Sequence, residues 1–191
     1  MKKNSSKFKI PKTSRIGENV ILVGNCEIGE NVEIFGECYI ENSKIGDFCQ
    51  IKSSYIVDSE VGEQTTVGPY AHIRQNSKIG SKCRIGNFVE IKNSTLGNQT
   101  KCAHLSYIGD ATLGERVNVG CGVVFANYDG KKKHHSQVGN DVFVGCNCNI
   151  VAPRIVGDNC FIAAGTTLTK DLPSDSFSIG RTRDEFRPLE N

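Results

Sequence analysis

Aliphatic residues recur every five or six positions along almost the whole chain, and this spacing limits the possible folds more than any other feature. From Ile10 the ladder passes through Ile16, Leu22, Ile28, Ile34, Ile40, Ile45, Ile51, Ile56, Val61, Val67, Ile73, Ile79, Ile85, Ile91 and Leu96. It continues through Cys102, Ile108, Leu113, Val119 and Phe125, breaks once, and resumes at Val138, Val144, Ile150, Val156, Ile162 and Leu168. Two residues before almost every rung sits a second, smaller side chain, as at Cys38, Ser43, Cys49, Ser54, Ala71, Ser94 and Thr166; Arg154 is the exception. A six-residue period fits neither a helix at about 3.6 nor a plain strand at about 2. It does fit a triangular prism in which each short strand turns one large and one small side chain inward and glycine serves tight corners. Three hexapeptides make a coil of roughly 18 residues, so Ile10 to Leu168 predicts an all-β parallel helix of about nine coils. Residues 10–181 form the helix in this reading, between tails at 1–9 and 182–191.

Composition agrees. Only 38% of the 191 residues are hydrophobic and 20 are glycine, which suits a thin, regularly lined interior. The 23 basic and 21 acidic residues leave a net charge of +2, so no global field points to nucleic acid or to a membrane surface. The start, MKKNSSKFKIPK, is basic but has no apolar stretch behind it, and no run approaches the roughly 18 apolar residues of a membrane span. A cytoplasmic protein is expected.

Nine cysteines would suggest disulfides in a secreted chain. Here Cys26, Cys38, Cys49, Cys83, Cys148 and Cys160 fill the small inward slot and Cys102 a large one, where cysteine acts as a small hydrophobe. In Cys146-x-Cys148 the two side chains point apart and no second pair is present, so no metal site is expected.

Departures from the repeat are where function is expected. The largest, Ala126 to Gln137, reads ANYDGKKKHHSQ and predicts one extruded loop at 126–137, with a turn at Asn127–Gly130 and a cluster of Lys131, Lys132, Lys133, His134 and His135 suited to an anion. The other is Lys101–Tyr107: with Cys102 and Ser106 inward, His104 falls at or near a corner.

From Val67 onward, VGPYAHIR, IGNFVEIK, AHLSYIGDA, VNVGCGVVFANYDG, VGNDVFVGCN, IVAP and IAAGTTLTKD resemble the C-terminal acetyltransferase half of the bifunctional glucosamine-1-phosphate acetyltransferase/N-acetylglucosamine-1-phosphate uridylyltransferase. The resemblance runs from the early hexapeptides to about Arg181. It implies a left-handed helix, a homotrimer with active sites between subunits, and acetyl transfer from acetyl-CoA to glucosamine 1-phosphate on the route to UDP-N-acetylglucosamine and cell-wall precursors. His104 matches the general base and Glu90 the carboxylate that steadies it. Arg74, Lys92 and Lys133 match the phosphate-binding cations, with Tyr107 and Asn118 at the sugar and Asn127 and Tyr128 at the acetyl site. Cys121, Cys146, Ala164 and Arg181 match the coenzyme A side, although the family is expected to carry alanine and serine where Cys121 and Cys146 stand. Acetyl-CoA is then a co-substrate, and no metal is required. The family's Gly-rich nucleotidyltransferase motif has no counterpart in this sequence, so UTP-dependent activity is not expected.

The residue types suit the chemistry. An ammonium must lose a proton before it attacks a thioester, and histidine, with an ordinary pKa near 6.5, can take it. A backbone N–H near Cys121 would stabilise the oxyanion. Three other readings compete. One is an acyltransferase for another amino sugar, nucleotide-linked ones included. The second is a zinc carbonic anhydrase of the same architecture, for which His72 and His104 lack the spacing while His134 and His135 fall on the loop. The third is a catalytically silent β-helix partner of a separate uridylyltransferase.

Overall fold

Each hexapeptide forms one short parallel strand, and three strands at the three faces close one coil of a left-handed parallel β-helix. The computed structural model describes residues 7–182. Rungs stack coil on coil because every strand pairs in register with the one about a coil later. On the second face Ile16, Ile34, Ile51, Val67, Ile85, Cys102, Val119, Val144 and Ile162 form one continuous column. The third face carries Leu22, Ile40, Ile56, Ile73, Ile91 and Ile108 in the same way, followed by Phe125, Ile150 and Leu168. The first face is a nine-stranded sheet. The other two merge into one 17-stranded sheet because two strands, Arg84–Lys92 and Lys101–Gly109, run unbroken through the corner between them.

The small inward slot is as the spacing requires: Val32, Cys38, Ser43, Cys49, Thr65, Ser77, Val89, Thr100, Val117 and Cys160 are all buried. Its hydroxyls are satisfied locally, for example by donation from Ser54 Oγ to the Lys52 carbonyl at 2.7 Å and from Ser94 Oγ to that of Lys92 at 2.8 Å. Burial pushes the Cys102 thiol up to about 12 and Cys49 up to about 11, which keeps both protonated and inert.

The ends and the loop differ from the expected boundaries. Lys7–Lys9, assigned to the tail, is a strand paired with Asn25–Glu27. Ile10 is 41% exposed and Ile16 and Leu22 are only partly buried, because the first coil has a neighbour on one side alone. Ala126 ends a strand and Ser136–Val138 is already back in the ladder, so the excursion is 127–135 rather than 126–137. Arg154 lies partly buried in the small slot, with its Nε unpaired. Residues 1–6 and 183–191 of the expected tails lie outside the described residues. No helix among the described residues is long and apolar enough to cross a membrane.

Candidate functional site

The unbroken strands Arg84–Lys92 and Lys101–Gly109 bend where they cross the corner between the second and third faces, at Phe88 (φ 58°) and Leu105 (φ 34°). Left-handed backbone is costly for such side chains, about 1–2 kcal/mol each. It is held by the stacking: Phe88 N–H donates to the Tyr70 carbonyl at 3.0 Å and Gly122 N–H to that of Leu105 at 2.8 Å. The residues just before these bends, Asn87 and His104, are register partners in adjacent coils. Asn87 Oδ1 lies 3.0 Å from His104 Nδ1, and the imidazole itself is exposed. An amide oxygen can only accept, so Nδ1 carries the proton and Nε2 keeps its lone pair for an incoming acid. Close stacking is enforced by Gly86, where a Cβ would meet the Ala103 carbonyl carbon at 2.6 Å. Gly86→Ala must therefore pry two backbones apart. We expect it to lower unfolding stability by about 1–3 kcal/mol, read from the denaturant midpoint; an unchanged midpoint would mean that the corner relaxes freely.

Across the third face, Glu90 stands over Tyr107 in register, with His72 one coil before it. Glu90 is not at the imidazole within one chain. Its Oε1 accepts from Arg74 Nε at 2.8 Å and Nη2 at 2.6 Å. The carboxylate expected to steady His104 is thus committed to Arg74, and Asn87, absent from the expected set, holds the histidine instead.

At the next corner the sequence reading missed the central residue. Asp110 is 7% exposed, in the left-handed region that aspartate tolerates (φ 52°), and gathers three side chains. Lys92 Nζ lies 3.3 Å from Oδ2, Asn93 Nδ2 donates to Oδ1 at 2.6 Å, and Asn127 Nδ2 donates to Oδ2. Asn127 also reaches Tyr107 Oη at 3.3 Å. Burial works against the Asp110 carboxylate, but its contacts with Asn93, Lys92 and Asn127 outweigh it and hold the pKa below the usual carboxylate range. Burial likewise opposes the Lys92 ammonium, yet the Asp110 carboxylate beside it outweighs burial and raises its pKa. Lys133 is pulled down, first by Lys92 and also by Arg74. Arg74, Lys92 and Lys133 therefore converge with Glu90 and Asp110: three cations against two carboxylates leave one positive charge uncompensated.

The loop that delivers Lys133 is internally braced. Asp129 accepts from the Lys131 and Lys132 N–H groups, both at 2.8 Å, and lies 2.7 Å from His134 Nε2. First the His134 contact and then those two N–H groups hold its pKa down to about 2. An antiparallel bridge pairs exposed Tyr128 with Lys133.

Following His104 up the same corner, the residues preceding each left-handed bend are Cys121, Cys146 and Ala164, because Gly122, Asn147 and Gly165 occupy the bends. A Cβ on Gly165 would lie 3.2 Å from Arg181 Cδ, which puts Arg181 at the top of this column. Asn118 is not gathered in. It sits on the second face between Lys101 and Phe143, while Tyr107 is on the third. Among the described residues, no group of three or more His, Cys, Asp or Glu side chains could hold a metal ion.

The bacterial transferase hexapeptide (six repeats) pattern matches residues 58–93 and 135–170. The chain is 56% identical over 144 residues to the "Bifunctional protein GlmU" of Clostridium perfringens, covering 75% of this chain and 32% of that protein. It is 52% identical over 174 residues to the protein of the same name from Caldicellulosiruptor saccharolyticus, covering 91% and 38% respectively. The chain thus spans about a third of the length of these relatives. Among solved structures, LpxA, a UDP-N-acetylglucosamine acyltransferase from Bacteroides fragilis, superposes with a TM-score of 0.62 at 20% identity, over 86% of this chain and 69% of that one. That likeness bears on the fold.

Proposed function

We propose, since this chain resembles the C-terminal, hexapeptide-repeat half of the bifunctional glucosamine-1-phosphate acetyltransferase/N-acetylglucosamine-1-phosphate uridylyltransferase, that it moves an acetyl group from acetyl-CoA to the amine of glucosamine 1-phosphate. One observation carries the reading: an imidazole with its Nδ1 anchored and its Nε2 free occupies one corner of the prism, and at the next corner a cluster of cations holds surplus positive charge.

Arg74, Lys92 and Lys133 bind the phosphate, Tyr107 orients the sugar so that its amine meets His104 Nε2, and Asn127 and Tyr128 line the acetyl site. His104 removes the ammonium proton, and the free amine attacks the thioester carbonyl. The oxyanion needs a donor at this corner. The Gly120 N–H is taken by the Val144 carbonyl and that of Gly122 by Leu105, which leaves the Cys121 N–H for the role. The C–S bond then breaks, and imidazolium returns its proton to the coenzyme thiolate. The donor side fits a slender thiol arm: Cys121, Cys146 and Ala164 are small, so the arm lies close to the backbone, and Arg181 stands at the phosphate end. Asn118, on another face of its own chain, joins the site in a homotrimer whose sites lie between subunits. The setting is cytoplasmic, and no metal takes part in this transfer.

The test is thiol release from acetyl-CoA with a panel of acceptors. Glucosamine 1-phosphate should have the highest kcat/KM, with free glucosamine slower by about 10²-fold or more because the cationic cluster is left without its anion. A nucleotide-linked amino sugar in first place would keep the chemistry and replace the acceptor. No release with any amine would sink the enzymatic reading and favour a silent partner subunit.

A further inference from the structure

Two of the nine cysteines do not belong to the core. Cys146 is exposed and Cys121 partly so, whereas the other seven are buried. The two sit one above the other at the same corner. Asn147 N–H donates to the Cys121 carbonyl at 2.7 Å, and a Cβ on Gly120 would lie 2.7 Å from the Cys146 nitrogen. Neighbouring strands stack at about 4.8 Å, within the roughly 4.4–6.8 Å between Cα atoms that a disulfide spans. The nearest rival thiol, Cys148, is fully buried and points into the prism. His104 occupies the position one coil before Cys121, so an imidazole is at hand to accept a thiol proton. Neither cysteine serves the inward packing that explains the rest.

We propose that Cys121 and Cys146 are a thiol-modification site that reacts with low-molecular-weight disulfides and closes to a reversible intramolecular disulfide. The Cys146 thiolate attacks one sulfur of the small disulfide, forming a mixed disulfide and expelling one thiolate. The Cys121 thiolate then attacks the Cys146 sulfur and expels the second. Two protein thiols are oxidised, one small disulfide is reduced to two thiols, and the two protons pass to the leaving thiolates. The bond staples two coils together at the point where the thioester is to lie. Its effect on rate rests on the acetyltransferase reading; its formation does not.

The test treats the full chain with oxidised glutathione and then with coenzyme A disulfide, following intact mass and acetyl transfer together. The expected product is two hydrogens lighter than the reduced protein. It yields a Cys121–Cys146 cross-linked peptide on non-reducing digestion and loses most of its transferase rate until dithiothreitol restores it. Cys121→Ala should stop at the mixed disulfide on Cys146, one glutathione heavier. Wild-type protein that also stops at a mixed disulfide, stays reduced under excess oxidant, or cross-links any other pair overturns the proposal. Cross-linked protein that transfers at the untreated rate overturns the block at the donor site. Correct cross-linking in a protein that never transferred acetyl groups leaves the disulfide standing and removes the acetyltransferase reading instead.

Discussion

His104→Ala is expected to lower kcat for acetyl transfer by about 10²–10⁴-fold, the usual worth of a positioned general base. Its unfolding free energy should change by no more than about 0.5 kcal/mol, because the side chain is exposed and packs against nothing inside the prism. A kcat within tenfold of the parent would exclude His104 as the base. The neighbours sharpen this test. Asn87 touches the substrate-facing ring only through Nδ1, so Asn87→Ala should cost about one hydrogen bond, on the order of tenfold in kcat. Asn87→Asp should move the acid limb of the pH–rate profile upward, since a carboxylate beside the imidazole favours its charged form. Glu90→Gln separates the two possible roles of that carboxylate. In the chain as folded it holds Arg74, so its loss should raise KM for the sugar phosphate. A shifted pH limb in Glu90→Gln would instead restore it to the histidine.

Asp110→Ala is expected to be the most destabilising single change in the site, by about 3–5 kcal/mol, with Tm falling on the order of 10 °C. It strands the Lys92 ammonium, 5% exposed, and takes away the acceptor of Asn93 and Asn127. The pH dependence follows from the two shifts. The Asp110 pKa is depressed on folding, so its contribution is present above the ordinary value near 3.9 and is lost as pH falls through the folded one. Lys92 is raised, so its contribution is present below about 10.4 and is lost as pH rises through its folded value. The gap between wild type and variant should accordingly be widest from mildly acid to mildly alkaline pH and should close at both extremes. Adding Lys92→Met to Asp110→Ala should recover much of the loss, because the charge left unpaired is then gone. A double variant no more stable than Asp110→Ala alone would show that the lysine is not what the aspartate neutralises.

The prism was legible because its signal repeats. A column such as Ile34, Ile51, Val67 and Ile85 is defined by spacing alone, and the same spacing explains the seven buried cysteines. The site was legible in part. His104 could be placed at a corner by counting from Cys102 and Ser106, and Lys133 by the insertion that carries it. Asp110 could not be found this way: it follows Ile108-Gly109 at a corner, where aspartate reads as an ordinary turn residue. Only its partners, from a residue a coil earlier and from the loop, show that it is buried. Asn87 was hidden for a similar reason. Contacts between coils join residues about 17 apart, and no local pattern marks which outward side chain reaches its neighbour. Ile10 and Leu22 show the opposite limit, for a rung at the end of the stack has the right spacing but only one neighbour to cover it.

The unbroken stacking divides the chain's surface into two grades of mutability. Along the corner that runs from His104 to Ala164, side chains project from a backbone whose bends at Gly122, Asn147 and Gly165 are held by N–H bonds to the adjacent coil, so their identity scarcely enters the folding free energy. Stability alone therefore leaves these positions open to substitution, and any constraint on them comes from the chemistry done there. The knot of Lys92, Asn93, Asp110 and Asn127 has no such freedom, because Lys92, Asn93 and Asn127 all depend on the one buried carboxylate of Asp110. Directed evolution of this scaffold should therefore change its acyl donor long before it changes its preference for an anionic acceptor.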